Sequence, residues 1–105
     1  MYKLVFFVPV THLESVKQAV FAAGAGRQGD YQSCCWQTLG YGQFRPVGDA
    51  QPYLGEKGNL ETVPEYRVET LCEPGAIKDV VHALKRAHPY EEPAFDVTAL
   101  VDVVV

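Results

Sequence analysis

The run His88-Pro89-Tyr90-Glu91-Glu92-Pro93 separates a segment with helical periodicity from one with strand periodicity. Pro89 disfavours a helical backbone at His88, so the helix ends there. Pro93 holds Glu92 extended and launches the strand that follows. The two prolines therefore set a stiff helix-to-strand crossover, and the rest of the chain can be ordered outward from it. The same six residues carry an imidazole, a phenol and two carboxylates. A stiff turn presents such groups at low entropic cost, although it can equally serve as a rigid connection and nothing more.

Upstream of the turn, Ile77, Val80, Val81 and Leu84 form a helical stripe that Ala87 extends, and Pro74 suits the first turn. Lys85 and Arg86 favour the C-terminal end of that helix, and His82 falls between stripe positions on the surface. Downstream, Phe95, Val97, Ala99, Val101, Val103 and Val105 alternate, which predicts one long last strand over 94–105. Before the second helix, Leu60–Cys72 reads as a strand with Tyr66, Val68, Thr70 and Cys72 on one face. Its other face carries Glu65, Arg67 and Glu69 in alternating charge, a pattern of an ion-paired surface.

The first half repeats the pattern. Tyr2–Val8 is a strand that is apolar on both faces except at Lys3, as expected of a central strand. Thr11 is placed as an N-cap with Glu14 at the capping-box position. Leu13, Val16, Val20 and Ala23 form the helical stripe, and Gly24 or Gly26 ends it. Gly24-Ala25-Gly26-Arg27-Gln28-Gly29 has the spacing of a dinucleotide loop, but it closes a helix instead of opening one, so that reading is rejected. Tyr31–Leu39 is expected as a second strand, with Cys34 and Cys35 on opposite faces. Gly40 and Gly42 interrupt it, and Tyr41 and Phe44 suggest a bulged or bent continuation. The long segment from Arg45 to Gly58 reads as a structured loop anchored by Tyr53 and Leu54, better suited to an oligomer contact than to a lid.

The order strand–helix–strand–strand–helix–strand predicts an α+β, ferredoxin-like βαββαβ fold. It is a four-stranded antiparallel sheet with two helices on one face, in a single domain over residues 1–105. The other face is then expected to be buried in an oligomer. With 105 residues and 48% hydrophobic content, the chain can build one modest core. The net charge of −4 and scattered basic residues exclude a nucleic-acid surface as a leading reading. No apolar run is long enough to cross a membrane, and a mature cytoplasmic start is expected. Three cysteines, with no Cys-x-x-Cys, make a poor disulfide framework.

His88-Pro89-Tyr90-Glu91-Glu92-Pro93-Ala94-Phe95-Asp96-Val97 closely resembles the insert-domain signature of the NIF-three-like, or YqfO, family. Phe21-Ala22-Ala23-Gly24-Ala25-Gly26, Tyr31 with Cys34, Gly42-x-Phe44-Arg45-Pro46, Pro52 with Gly55, and Glu69-Thr70 extend the resemblance over nearly the whole chain. It departs from that pattern at Gly48-Asp49, where a Glu-Gly order is common, and at the doubled Cys34-Cys35. The chain is thus similar to a freestanding insert with a fold like that of PII and CutA proteins. The resemblance implies a homo-oligomer, a trimer in preference to a dimer. The two-metal site of full-length family members lies in flanking domains, so the resemblance transfers no hydrolase or cyclohydrolase activity.

The expectation for function is a small oligomeric accessory or sensor domain that binds a divalent metal or small ligand, with no established catalysis. Candidate metal ligands are His12, Cys34, His88, Glu91 and Glu92, since imidazole, thiolate and carboxylate suit a divalent ion. One alternative is a metal-assisted hydrolase acting on a phosphoester or nucleotide. Another is a structural module that binds a protein partner through the loop and central strands.

Overall fold

In the computed structural model, which describes residues 1–105, Tyr2–Pro9 forms β1 in the middle of a four-stranded sheet. Trp36–Phe44 is β2, Glu61–Cys72 is β3 and Phe95–Ala99 is β4, in the order β2-β3-β1-β4 with every neighbour antiparallel. Helices α1 (Leu13–Ala23) and α2 (Ile77–Ala87) pack on one face. The βαββαβ order and the ferredoxin-like architecture expected from the periodicities are both present.

The core follows from strand alternation. Leu4, Phe6 and Val8 of β1 and Val68 of β3 face the helices and are fully buried, meeting Val16 and Val20 of α1 and Val80 and Leu84 of α2. The expected stripe of α2 gains Ala83, which is also buried, while His82 is exposed. The end of α1 meets the start of α2, where Gly24 approaches Ala76. A Cβ at Gly24, whose φ is +126°, would stand 3.0 Å from the Ala76 methyl carbon.

Four local expectations are corrected. The capping box does not form. A single 3-10 turn, Val10–His12, precedes α1, and its cap residue His12 makes no side-chain cap hydrogen bond. The Thr11 hydroxyl instead meets His12 Nδ1 at 2.9 Å, and Glu14 pairs with Lys17 at 3.2 Å.

The second strand starts at Trp36, five residues later than expected. Gln28 and Tyr31 exchange backbone hydrogen bonds, Gly26 N–H donates to Leu71 O, and Cys34 N–H donates to Gly26 O. With Ser33 at φ +58°, that backbone is committed to a turn tied to the end of α1. Cys34 and Cys35 therefore precede the strand.

From Trp36 opposite Glu69 to Phe44 opposite Glu61 the β2–β3 register advances one for one, so Gly40 and Gly42 lie inside a regular strand without a bulge.

The last strand ends at Ala99. Tyr2 pairs with Ala99 and Met1 O accepts from Leu100 N–H at 3.0 Å, after which β1 offers no further partner. Val101 and Val103–Val105 are exposed beyond the sheet.

The second face of the sheet mixes apolar residues, among them Val5, Phe7 and the exposed Trp36, with charged ones. Glu69 pairs with Lys3 at 3.2 Å and with Arg67 Nε at 3.3 Å, and the Arg67 guanidinium lies 5.9 Å from the centre of the Phe7 ring. One end of this face is covered by the chain's own loop. No helix is long and apolar enough to cross a membrane.

Candidate functional site

Helix α2 ends where Pro89 requires. His88 adopts an extended backbone (φ −72°, ψ 136°) while its N–H still donates to Leu84 O at 2.9 Å. That geometry turns the imidazole inward, and only 5% of the residue is exposed. Its Nε2 lies 2.7 Å from Phe7 O, and its Nδ1 lies 3.1 Å from Tyr90 N. A carbonyl can only accept and an amide N–H can only donate, so Nε2 carries the proton and Nδ1 is the acceptor. The ring is neutral, and it fastens the crossover to β1.

Burial lowers the His88 pKa. The Phe7 carbonyl and the Glu65 charge oppose the shift, and His12 adds to it. The unfolded chain therefore takes up this proton first, near the ordinary histidine value of about 6.5. The stability that depends on neutral His88 is complete above about pH 6.5 and is lost as pH falls from there through the folded-state value. Urea-unfolding midpoints measured from about pH 7.5 down to about pH 5 are expected to fall over that window.

Tyr90 extends the fastening toward β3. Its hydroxyl donates to Glu65 Oε2 at 2.7 Å. Burial, then the hydrogen bond to Glu65 and its charge, push the phenol well above its ordinary pKa. The Glu65 carboxylate lies flat across β2 at Gly42, where a Cβ would collide with it. The Tyr90 ring stands 5.9 Å from Phe44 and 6.4 Å from Tyr53, and Tyr53 meets the His12 ring edge-on at 5.6 Å. Gln51 N–H donates to Glu91 Oε1 at 3.2 Å, and Gly58 N–H closes the loop on Pro46 O at 2.8 Å. The loop from Arg45 to Leu60 is thus clasped to the crossover by an aromatic chain and one carboxylate.

Between the loop, the crossover and the second sheet face lies a cleft of about 580 Å³. That volume suits a small organic molecule. Gly40 and Gly42 leave its floor without side chains. Phe7, Phe44, Tyr53 and Tyr90 supply apolar surface, Arg45 and Arg67 positive charge, and Glu65, Glu91 and Glu92 negative charge.

The five residues proposed as metal ligands are placed as follows. Glu91 and Glu92 line the cleft, and His12 reaches its edge through Tyr53. His88 stands behind the wall with both nitrogens engaged. Cys34 lies elsewhere. Its carbonyl accepts from the Thr70 hydroxyl at 2.8 Å, three residues along β3 from the Arg67 that pairs with Phe7, a separation of about 10 Å. The convergence of His12, Cys34 and His88 does not form, and no three His, Cys, Asp or Glu side chains gather into a metal-holding group. Glu65, Gly42 and Tyr53 also line the cleft, although the sequence placed them only on a charged strand face, at a strand interruption and as a loop anchor. Glu65 pairs opposite Gly40 and reaches diagonally to Gly42, a contact set by the β2–β3 register, which no local pattern announces.

No protein-family model matches the chain. It is 50% identical over 99 residues to a Mycobacterium leprae protein named GTP cyclohydrolase 1 type 2 homolog, covering 94% of the chain and 26% of that protein. A Halalkalibacterium halodurans protein of the same name is 44% identical, with 95% and 27% covered. The chain therefore spans about a quarter of the length of these curated relatives. Among solved structures it superposes on a Bacillus cereus protein related to NIF3 with TM-score 0.80 at 42% identity, covering 96% of the chain and 26% of that protein. CutA1 from Pyrococcus horikoshii superposes with TM-score 0.69 at 15% identity (99% and 87% covered). The periplasmic divalent cation tolerance protein CutA from Archaeoglobus fulgidus does so with TM-score 0.67 at 12% identity (99% and 88% covered). At these low identities the CutA likeness shows the fold alone.

Proposed function

We infer, from this chain's homology to a segment of the NIF3-like (YqfO) proteins and from its CutA/PII-like fold, that it is a small oligomeric accessory or sensor domain. Its cleft takes a small ligand. The observation that carries this reading is the clasped loop. Tyr53, Gln51 and Gly58 hold a long irregular segment over the sheet and maintain a cleft of ligand size, with glycines on its floor. Self-association is supported by the resemblance to folds that often form trimers and by the unpaired outer edges of β2 and β4. The free thiols Cys34, Cys35 and Cys72 suit a reducing compartment such as the cytoplasm.

In this reading the segment performs no bond-breaking step. His88, the best general base by residue type, has both nitrogens engaged in holding the fold. A divalent cation would be met by Glu91 and Glu92 at the rim, with solvent or a second subunit supplying further oxygen ligands.

A solution mass measurement and a thermal-shift screen of small metabolites, with and without divalent cations, test the proposal together. A trimer or dimer is expected, with at least one compound raising the melting temperature through the cleft, so that Tyr53→Ala abolishes the shift. A persistent monomer with no stabilising compound would overturn it. The relatives' name makes GTP the first substrate to assay, and turnover of GTP by the isolated chain would restore the enzymatic alternative.

A further inference from the structure

We propose that the cleft recognises an organic cation, a primary alkylammonium or alkylguanidinium group, with Glu65 as its counter-charge. The inference rests on the cleft being a ligand site and adds the charge of the ligand. On the second face of β3, Glu65, Arg67 and Glu69 stand in a row. Arg67 is equidistant in sequence from the two acids, yet its Nε pairs with Glu69 and its guanidinium rests near Phe7. Lys3 also pairs with Glu69. Glu69 therefore has two cationic partners, while Glu65 has none and receives only the Tyr90 hydroxyl.

A half-buried carboxylate without a counter-ion is costly unless something supplies positive charge. Gly42 keeps it in place, because any side chain there would displace it. The rings of Phe44, Tyr53 and Tyr90 surround the same stretch of cleft. Carboxylate combined with aromatic faces is the chemistry that binds an organic cation, through an ion pair and cation–π attraction. A bare metal ion would find a single free carboxylate on the floor and no cluster of three donors. Arg45 also lines the cleft without an acidic partner, a charge that would favour an anion instead, and titration with n-butyrate tests that outcome.

The test titrates the full chain with n-butylammonium, n-butylguanidinium, n-butyrate and zinc chloride, following the backbone amide resonances of Gly40, Gly42 and Tyr90. Saturable shifts are expected with the two organic cations only. Glu65→Gln removes the charge but keeps an acceptor for the Tyr90 hydroxyl, and is expected to weaken cation binding roughly tenfold or more. Tyr53→Ala, on the loop and away from the core, is expected to weaken it as well, and provides the test if Glu65→Gln does not fold. Undiminished cation binding in both variants would overturn the proposal. So would saturable shifts from zinc alone, or silence from every probe. Shifts from butyrate alone would overturn the cation assignment while leaving the cleft a ligand site, which separates this failure from failure of the broader reading.

Discussion

Replacing His88 with alanine is expected to lower the unfolding free energy by about 2–4 kcal/mol. The substitution removes two hydrogen bonds at once from a residue that is 5% exposed. Phe7 O and Tyr90 N–H lose their partner in a region where water has little access. The effect extends past the ring, because Tyr90 N–H belongs to the crossover that holds Tyr53 and Gln51 of the loop. The variant is therefore expected to lose small-ligand binding together with stability, and its stability should no longer fall by the His88 contribution between about pH 6.5 and pH 5. Urea unfolding of both proteins at two pH values measures all of this. A loss under about 0.5 kcal/mol, within the range of ordinary surface substitutions, would show that the imidazole does not fasten the crossover.

The largest loss is expected at Phe6→Ala, about 3–5 kcal/mol. Phe6 is the bulkiest of the fully buried side chains. It sits on a strand paired on both sides, opposite Val68 on β3 and Phe95 on β4, and faces the two helices. Three strands and the helix layer therefore meet at one ring, and a backbone hydrogen-bonded on both edges collapses poorly into the void left behind. Thermal or urea unfolding reads the loss directly. Val101→Ala is the matched control, since Val101 is 85% exposed beyond the end of β4 and is expected to change stability by less than about 0.5 kcal/mol.

These two positions also show what the sequence disclosed. Phe6 was legible as part of a central strand because Tyr2–Val8 is apolar on both faces except at Lys3. The helical stripes of Val16, Val20, Val80 and Leu84 supply a cover for it, and local patterns that agree with the global fold are read easily. The crossover was legible because two prolines leave its backbone few choices. Apart from the capping box, which Thr11 loses to its neighbour His12, the readings that missed share a physical cause: partners outside the segment decided its local structure. Tyr31–Cys35 has strand-like composition, but its backbone is bound to Gly26 and to its own turn. Gly40 and Gly42 look like interruptions, yet both pair in an unbroken register, and Gly42 makes room for Glu65 from the neighbouring strand. Val101–Val105 alternate and extend like a strand, but β1 has already ended. The role of His88 is the sharpest example. Its residue type announces a ligand, and only Phe7, 81 positions earlier, reveals that its nitrogens are occupied.

The hydrogen bond from Leu100 N–H to Met1 O brings the start of β1 beside the end of β4. Entrance and exit of the unit are therefore one strand spacing apart, about 5 Å. A polypeptide can leave a surface loop of another fold, trace this whole sheet and its two helices, and return almost to its point of departure, with little displacement of that fold's own backbone.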